Sequence, residues 1–386
     1  MFDQATSALI QRAPPLDGLD LGGLPKRLTE AFADIVSARI RMRGGTSEDD
    51  GTGALVATLA ELRRLAAAHE AYAALFPDRD NRAAAAFVAA YAHQVVTLDL
   101  GRAGAVSRID TAAISSDVCA ALLFLIAEAH ADAAEAAKRI LPDPHRTGEV
   151  EPALLIAIRN LAQGQLINIV RPALPELDPT LQDPAASALH ALQHMLLKGV
   201  RRLASQLRSR IDPATEEHGV EPASAIFARV KALCVEPIEG VLDSGEPVYS
   251  LYPGPLHLAN LLLALGGDLI ATALTRIPTP GNVAESGWWQ ILRRMAWGRP
   301  YLWRNHRDAI DSGYLNQGVS SAISFPTGAG KSTLAELKIA TALLRGEKVV
   351  FLVPTHALVG QTTRALQKTF NRFDVIGDID DEVTFD

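Results

Sequence analysis

A run of small residues that ends in a lysine and two hydroxyl residues has the composition of a phosphate-binding loop. Triphosphate binding requires several backbone N–H groups to converge on the phosphate oxygens, which small residues in a tight turn allow, and a following helix aims its positive N-terminus at the same charge. We expect the Lys331 ammonium to bind the β- and γ-phosphates as the catalytic group, and the Ser332 hydroxyl to be a ligand of Mg²⁺. The expected nucleotide contacts in this loop are Pro326, Thr327, Gly328, Ala329, Gly330, Lys331, Ser332 and Thr333.

Regular elements on either side must hold such a loop in place. Residues 319–325 have the apolar content of a strand, and the apolar spacing over 332–344 predicts a helix, which Gly346 ends. A second strand is predicted from 348–353, because an unbroken apolar run is typical of a parallel strand that is covered on both faces. The helix would cover the resulting sheet with Leu334, Leu337, Ile339, Ala340 and Leu344.

The loop departs from the general pattern G-x-x-x-x-G-K-[ST], because Phe325 stands at the position of the first glycine. The remaining Pro-Thr-Gly-x-Gly-Lys-Ser sequence resembles motif I of the superfamily 2 helicases and translocases, a group that includes the DEAD/DEAH type. Downstream, Ala335-Glu336-Leu337 looks most like the Ski2-like branch, whose members move along DNA or RNA. The resemblance implies ATP and Mg²⁺ as cofactors and an α/β RecA-like domain with a parallel sheet.

The second predicted strand runs into a sequence that resembles motif Ia of the same superfamily. This sequence places Leu358 and Gln361 at the family's spacing after Pro354-Thr355. The resemblance implies that Pro354, Thr355 and His356 contact the phosphate backbone of single-stranded DNA or RNA. His356 stands where the family usually has a basic residue, and a mostly neutral histidine makes a phosphate contact weaker and more dependent on pH.

Upstream of the loop, the segment 303–310 stands where these enzymes read adenine with a glutamine. His306 occupies the place of that glutamine. Its ring nitrogens can bond an adenine edge, so His306 joins the expected nucleotide-binding residues while the base preference stays open. Two interpretations are also open for Trp289 and Trp303: stacking on the base, or packing around a domain junction.

Hydrolysis in this superfamily needs an acidic Asp-Glu pair after an apolar strand and an arginine finger from a second RecA-like domain. The sequence offers neither, since the acidic run 378–382 has no apolar strand before it and is predicted to be a solvated loop. We therefore expect the chain to be the N-terminal portion of a longer ATP-dependent helicase that is truncated after motif Ia. ATP hydrolysis is expected of the full-length enzyme and not of this portion alone.

Three regions are predicted along the chain. Residues 1–278 have helical spacing and form an all-helical domain, with two sub-bundles that divide near 142–150; residues 279–300 are a junction; residues 301–386 are a partial RecA-like ATP-binding domain. The clearest helical pattern follows Asp183, which is placed to act as an N-cap. Such a helical domain is expected to dock a protein partner or to regulate the motor.

The amino-acid composition limits the class of protein that the chain can be. A hydrophobic content of 48% predicts a soluble globular chain, and the net charge of −7 does not exclude nucleic-acid binding, because helicases bind phosphates in a local groove. Only two cysteines, Cys119 and Cys234, argue against disulfides and against a zinc site built on cysteine. No secretory signal or apolar run of roughly 20 residues is evident, so a cytoplasmic protein without a membrane span is expected.

Three other features are predicted to be structural rather than functional. They are the His190/His194 pair, the basic stretch from Lys198 to Arg210, and the mixture of arginine and tryptophan at 288–297. Two functional alternatives also stay open: another P-loop NTPase, such as a kinase or transporter ATPase, and a helical interaction module with a nucleotide-binding remnant. Long helical extensions on Ski2-like motors resemble bacterial antiphage defence helicases, which suggests a role in antiviral defence.

Overall fold

The computed structural model of the protein describes residues 2–15, 22–43, 52–99, 106–143, 148–177, 183–209, 221–236, 249–325 and 330–377. The chain divides into two compact units. The N-terminal unit comprises Met1–Gln206 and Ile211–Ala271, and the C-terminal unit comprises Leu207–Arg210 and Thr272–Asp386.

Helices dominate the described part of the N-terminal unit. They are α1 (Gln4–Gln11), α2 (Leu24–Arg43), α3 (Thr52–Leu75), α4 (Arg79–Asp99), α5 (Ser116–Ile126), α6 (His130–Ala137), α7 (Val150–Ala162), α8 (Ile167–Val170), α9 (Pro184–Arg208), α10 (Ala223–Leu233) and α11 (Pro253–Ala271). Two short strands, β1 (Val235–Glu236) and β2 (Tyr249–Ser250), pair in antiparallel orientation.

The centre of this unit is built on α3, α4, α5 and α11, which contact one another. Helix α5 is apolar on every side and is buried along its whole length, as expected for a helix surrounded by others. Helix α4 presents Ala83, Ala84, Ala85 and Ala86, all buried, and side chains this small allow neighbouring helices to pack closely. The four helices thus form a tightly packed core.

The predicted cap and helix after Asp183 are confirmed. The Asp183 carboxylate accepts hydrogen bonds from the backbone N–H groups of Ala185 and Ala186 at 3.2 Å, so it caps α9. The buried stripe of α9 consists of Leu192, Leu196, Val200, Leu203 and Leu207. The apolar spacing therefore identified the packed face of this helix correctly.

Helix α11 is long and apolar enough to cross a membrane by length and composition. Core helices of globular proteins pass the same test. Here Leu258, Leu262 and Leu265 of α11 are buried in the unit, and Asp268 forms an ion pair with Arg82 of α4. These contacts are those of a core helix, and the absence of a membrane span stays a prediction.

The described part of the C-terminal unit contains α12 (Glu285–Met295), α13 (Arg304–Asp311), α14 (Lys331–Leu344) and α15 (His356–Thr369). Trp288, Ile291, Leu292 and Met295 form the buried face of α12 at steps of three and four residues. This face belongs to one apolar cluster with Leu334, Leu337 and Ala340 of α14 and with Phe370. The predicted helix after the loop is confirmed, as is its end, since Gly346 has φ 82°.

The predicted parallel sheet is wrong. Residues 319–325 and 348–353 carry no strand in the described part of the C-terminal unit, and the apolar face of α14 packs on α12 and Phe370 instead. The side chains of Val350 and Leu352 are 61% and 87% exposed. An apolar run becomes a strand only when a neighbouring segment completes its backbone hydrogen bonds, and the run itself does not specify that neighbour.

Candidate functional site

Among the predicted phosphate-loop residues, the structure describes those from Gly330 onward. Gly330 is the N-cap residue of α14. Its backbone is left-handed, with φ 76° and ψ 21°, a conformation that favours glycine. A β-carbon at this position would lie 2.4 Å from His306 Nε2 and 2.6 Å from His306 Cε1. Glycine is therefore required here both for its conformation and for its lack of a side chain.

The side chains that follow Gly330 divide between solvent and core. Lys331 and Ser332 are exposed, whereas Thr333 is 7% exposed. The Lys331 ammonium donates a hydrogen bond to the Phe325 carbonyl oxygen at 2.8 Å. The exposed pair thus lies at the positive end of the α14 dipole, where anions are stabilised. Pro326, Thr327, Gly328 and Ala329 lie outside the described residues.

His306 connects α13 to this turn. It is 1% exposed, its ring stacks on Trp303 at 5.4 Å between centroids with 9° between the ring planes, and its Nδ1 accepts from the Trp303 backbone N–H at 3.3 Å. Because Nδ1 is the acceptor, Nε2 carries the proton of the neutral ring. That Nε2 edge faces the Gly330 α-carbon.

An ion pair between Glu336 and Arg299 fixes the side of α14 that faces the core. Glu336 receives two hydrogen bonds from the Arg299 guanidinium, at 2.8 and 2.5 Å, and a third at 3.1 Å from the Thr369 hydroxyl at the end of α15. The Glu336 side chain is 9% exposed and that of Arg299 is 39% exposed. Glu336 thereby anchors the helix that carries Lys331 and Ser332 to α15.

Sequence reasoning missed Arg299 and Thr369. The sequence did indicate that Glu336 has a partner. Glu336 lies between Leu334 and Leu337 on the apolar face of α14, and a buried carboxylate is nearly always paired. The identity of the partner was not readable, since Arg299 is far from Glu336 along the chain.

The predicted nucleic-acid residues lie at the start of α15. Pro354, Thr355 and His356 are all exposed, and Thr355 is the N-cap residue with an extended backbone, φ −143° and ψ 148°. Its hydroxyl makes no capping hydrogen bond in the described structure. Thr369 is the buried residue of α15, so the helix projects most of its surface, including its N-terminus, to solvent.

The tryptophans and arginines near α12 are used by the fold, as the structural interpretation expected. Trp288 is buried and its indole N–H donates to the Ile277 carbonyl oxygen at 3.4 Å. The Arg293 guanidinium lies over the Trp289 ring at 5.1 Å. Since Trp303 stacks on His306, its ring also has a partner inside the unit. The acidic run 378–382 lies outside the described residues.

Comparison with known proteins gives one family match. No curated protein matches the chain. The family model of the DEAD/DEAH box helicases matches residues 303–382, about a fifth of the chain. The matched segment contains His306, Gly330, Lys331 and Thr355. Over these residues the chain is therefore similar to the DEAD/DEAH box helicases.

Proposed function

We propose that the chain binds Mg·ATP and single-stranded nucleic acid as part of an ATP-dependent superfamily 2 helicase or translocase. The observation that carries this proposal is the left-handed Gly330 turn, packed against His306 and leading into α14 with Lys331 and Ser332 exposed. The helicase family match over 303–382 supports the same interpretation.

The residues at this turn fit the phosphates of a nucleotide. The absent β-carbon at Gly330 makes room for the His306 ring that supports the turn, and the α14 N-terminus favours negative charge. Lys331 would exchange its hydrogen bond to the Phe325 carbonyl for phosphate oxygens, and the Ser332 hydroxyl would hold Mg²⁺. The buried His306 would support the turn. When bound, Mg²⁺ neutralises phosphate charge.

The start of α15 would bind the nucleic-acid strand. The exposed Thr355 hydroxyl and the N-terminal end of α15 are suited to a phosphate oxygen, because helix N-termini attract anions. The exposed His356 would add a second contact beside it. The choice between DNA and RNA stays open in this proposal.

The finer parts of the proposal rest on resemblance. The Ski2-like branch rests on Ala335-Glu336-Leu337, and a role in bacterial antiphage defence rests on the long helical extension. ATP turnover needs the acidic pair and arginine finger of the superfamily. Because the sequence offers no candidate for either, we assign binding and not hydrolysis to this chain.

The test measures binding of a fluorescent ATP analogue and of a labelled single-stranded oligonucleotide to the same preparation. Lys331→Ala should weaken nucleotide binding roughly 10- to 100-fold, since a hydrogen bond to a charged group contributes about 1.5–3 kcal/mol. Lys368→Ala is the matched control, because Lys368 is exposed on α15. Equal nucleotide affinity in Lys331→Ala and in the unchanged protein would refute the phosphate-loop assignment. Nucleotide binding without oligonucleotide binding would favour the helical interaction module.

A further inference from the structure

Three potential metal ligands cluster in the core of the N-terminal unit and a fourth lies beside them, each on a different helix. They are Glu70 of α3, His93 of α4, Cys119 of α5 and His257 of α11. One ligand atom from each of Glu70, His93 and Cys119 lies within 4.8 Å of the other two. His257 lies beside this group, because its Nε2 contacts a Glu70 carboxylate oxygen.

The cluster is largely removed from water, yet it is incompletely hydrogen-bonded. Cys119 is 1% exposed, and the side chains of Glu70 and His93 are each 15% exposed. His93 Nδ1 is buried and has no hydrogen-bond partner among the described residues. A buried polar atom without a partner costs free energy, which coordination of a metal by this ring nitrogen would recover. The other ring nitrogen of His93, Nε2, lies 3.4 Å from Glu70 Oε2.

A cleft of about 730 Å³ leads to these residues. Glu70 and His257 lie in its wall together with Leu123 of α5 and Lys231 of α10. His257 has the most exposed side chain of the four ligands, at 34%. The cleft thus supplies the entry path that a metal site in a protein interior needs.

We propose that Glu70, His93, Cys119 and His257 form a zinc site in the N-terminal unit. One thiolate, two imidazoles and one carboxylate make a mixed S, N and O donor set of the kind zinc accepts in tetrahedral sites. Zinc bonds of about 2.0–2.3 Å place tetrahedral ligand atoms roughly 3.3–3.8 Å apart, against a limit of 4.8 Å among the ligand atoms of Glu70, His93 and Cys119. Zinc binding would therefore draw these three side chains together and bring His257 in as the fourth ligand. Mg²⁺ and Ca²⁺ are excluded by the thiol and imidazoles, because both ions prefer oxygen ligands.

Without a metal, the groups of the cluster shift the pKa values of one another. Burial alone would raise the pKa of Glu70, but hydrogen bonds from His257 and His93 outweigh it and lower that pKa to about 2. Burial, with the nearby carboxylates of Glu70 and Asp117, raises the pKa of the Cys119 thiol. A divalent cation would reverse this effect, because metal coordination deprotonates a thiol outright.

The zinc site is independent of the proposed helicase function and would clamp α3, α4, α5 and α11 together. The proposal departs from the sequence expectation, which argued against a zinc site built on cysteine. The four residues lie at positions 70, 93, 119 and 257, which are too far apart in the sequence to form a short metal-binding motif.

The test uses the full chain after treatment with a chelator, titrated with Zn²⁺ by calorimetry and with Co²⁺ by absorption. We expect one equivalent of zinc to bind, a thiolate-to-cobalt charge-transfer band to appear, and zinc to raise the Tm. Cys119→Ser should abolish the band and lower the zinc affinity at least ~100-fold, because loss of an outer-shell partner alone costs 10- to 100-fold. Cys234→Ser is the matched control, since Cys234 is the second buried free cysteine and lies outside the cluster.

Two results would overturn the proposal. One is the absence of stoichiometric zinc binding and of the band in the unchanged protein, which would leave a metal-free cluster of Glu70 with two histidines. The other is a band that survives in Cys119→Ser. If Cys119→Ser fails to fold, His257→Gln replaces it, because His257 is partly exposed; it should keep the charge-transfer band and lose at least ~10-fold in zinc affinity. Unchanged affinity in His257→Gln would equally refute the site.

Discussion

The imidazole of His306 lies so close to Gly330 that a β-carbon at position 330 would come within 2.4 Å of His306 Nε2. The two residues therefore constrain each other, because the buried ring leaves room for glycine alone and the glycine backbone in turn closes the space above the ring. The start of α14, where Lys331 and Ser332 are exposed, is positioned by this contact.

Gly330→Ala should weaken binding of the ATP analogue more than 10-fold. The substitution places a side chain in a left-handed backbone, at a cost of about 1–2 kcal/mol, and drives it into the imidazole. The measurement is nucleotide affinity together with urea unfolding. Gly298→Ala is the control, since a β-carbon there meets no atom within 4 Å.

Combining Gly330→Ala with His306→Ala separates the two causes. Removing the ring relieves the steric clash but leaves the backbone strain, so the double variant should recover part of the stability lost in Gly330→Ala. If the double variant is no more stable than the sum of the two single changes predicts, the close contact is not the source of the effect.

His306→Gln should retain nucleotide binding and raise the preference for ATP over GTP several-fold, whereas His306→Ala should lower affinity for both. Glutamine is the residue that the resembling helicases use to read adenine, and its amide offers both a donor and an acceptor to the base edge. Competition between ATP and GTP for the fluorescent analogue measures the preference. An unchanged ratio in His306→Gln would remove position 306 from base recognition.

Glu336→Gln should destabilise the C-terminal unit by about 1–3 kcal/mol, because it weakens charge-assisted hydrogen bonds from Arg299 at a carboxylate that is nearly buried. The partial exposure of Arg299 keeps the loss below that of a fully buried pair. Urea unfolding measures the change. Glu347→Gln is the control, since Glu347 is exposed and should stay within about 0.5 kcal/mol of the unchanged protein.

Glu70 should make stability depend on pH in the acid range when metal is removed. Its pKa is about 2 in the folded protein against an ordinary value of 4.5, so its stabilising contribution is complete above pH 4.5 and is lost as pH falls towards 2. The contribution is on the order of 3 kcal/mol. Unfolding of Glu70→Gln and of the unchanged protein, both with chelator, should converge over this window. A constant difference from pH 6 to pH 3 would contradict the assignment.

Thr355→Ala should lower single-strand affinity several-fold, and His356→Arg should raise it with a salt slope steeper by about 0.7, the value for one added phosphate contact on a single strand. Oligonucleotide anisotropy across a salt series measures both. Thr362→Ala, within the same helix, is the control for a general effect on α15. A salt slope that does not change in His356→Arg would place the nucleic acid elsewhere.

Local signals in the chain were sufficient for individual helices. Asp183 and the apolar steps after it identified α9, and the glycines around α14 predicted its two ends, because caps and periodicity act over a few residues. The requirement for glycine at position 330 was likewise readable from the phosphate-loop pattern.

Contacts between distant segments were not readable. The apolar runs at 319–325 and 348–353 predicted strands, but strand pairing depends on a partner, and α14 buries its apolar face on α12 instead. The Glu336–Arg299 pair, the His306–Gly330 contact and the meeting of Glu70, His93, Cys119 and His257 likewise join residues far apart in the chain. Composition and spacing describe what each segment prefers, whereas packing in three dimensions selects which segments meet.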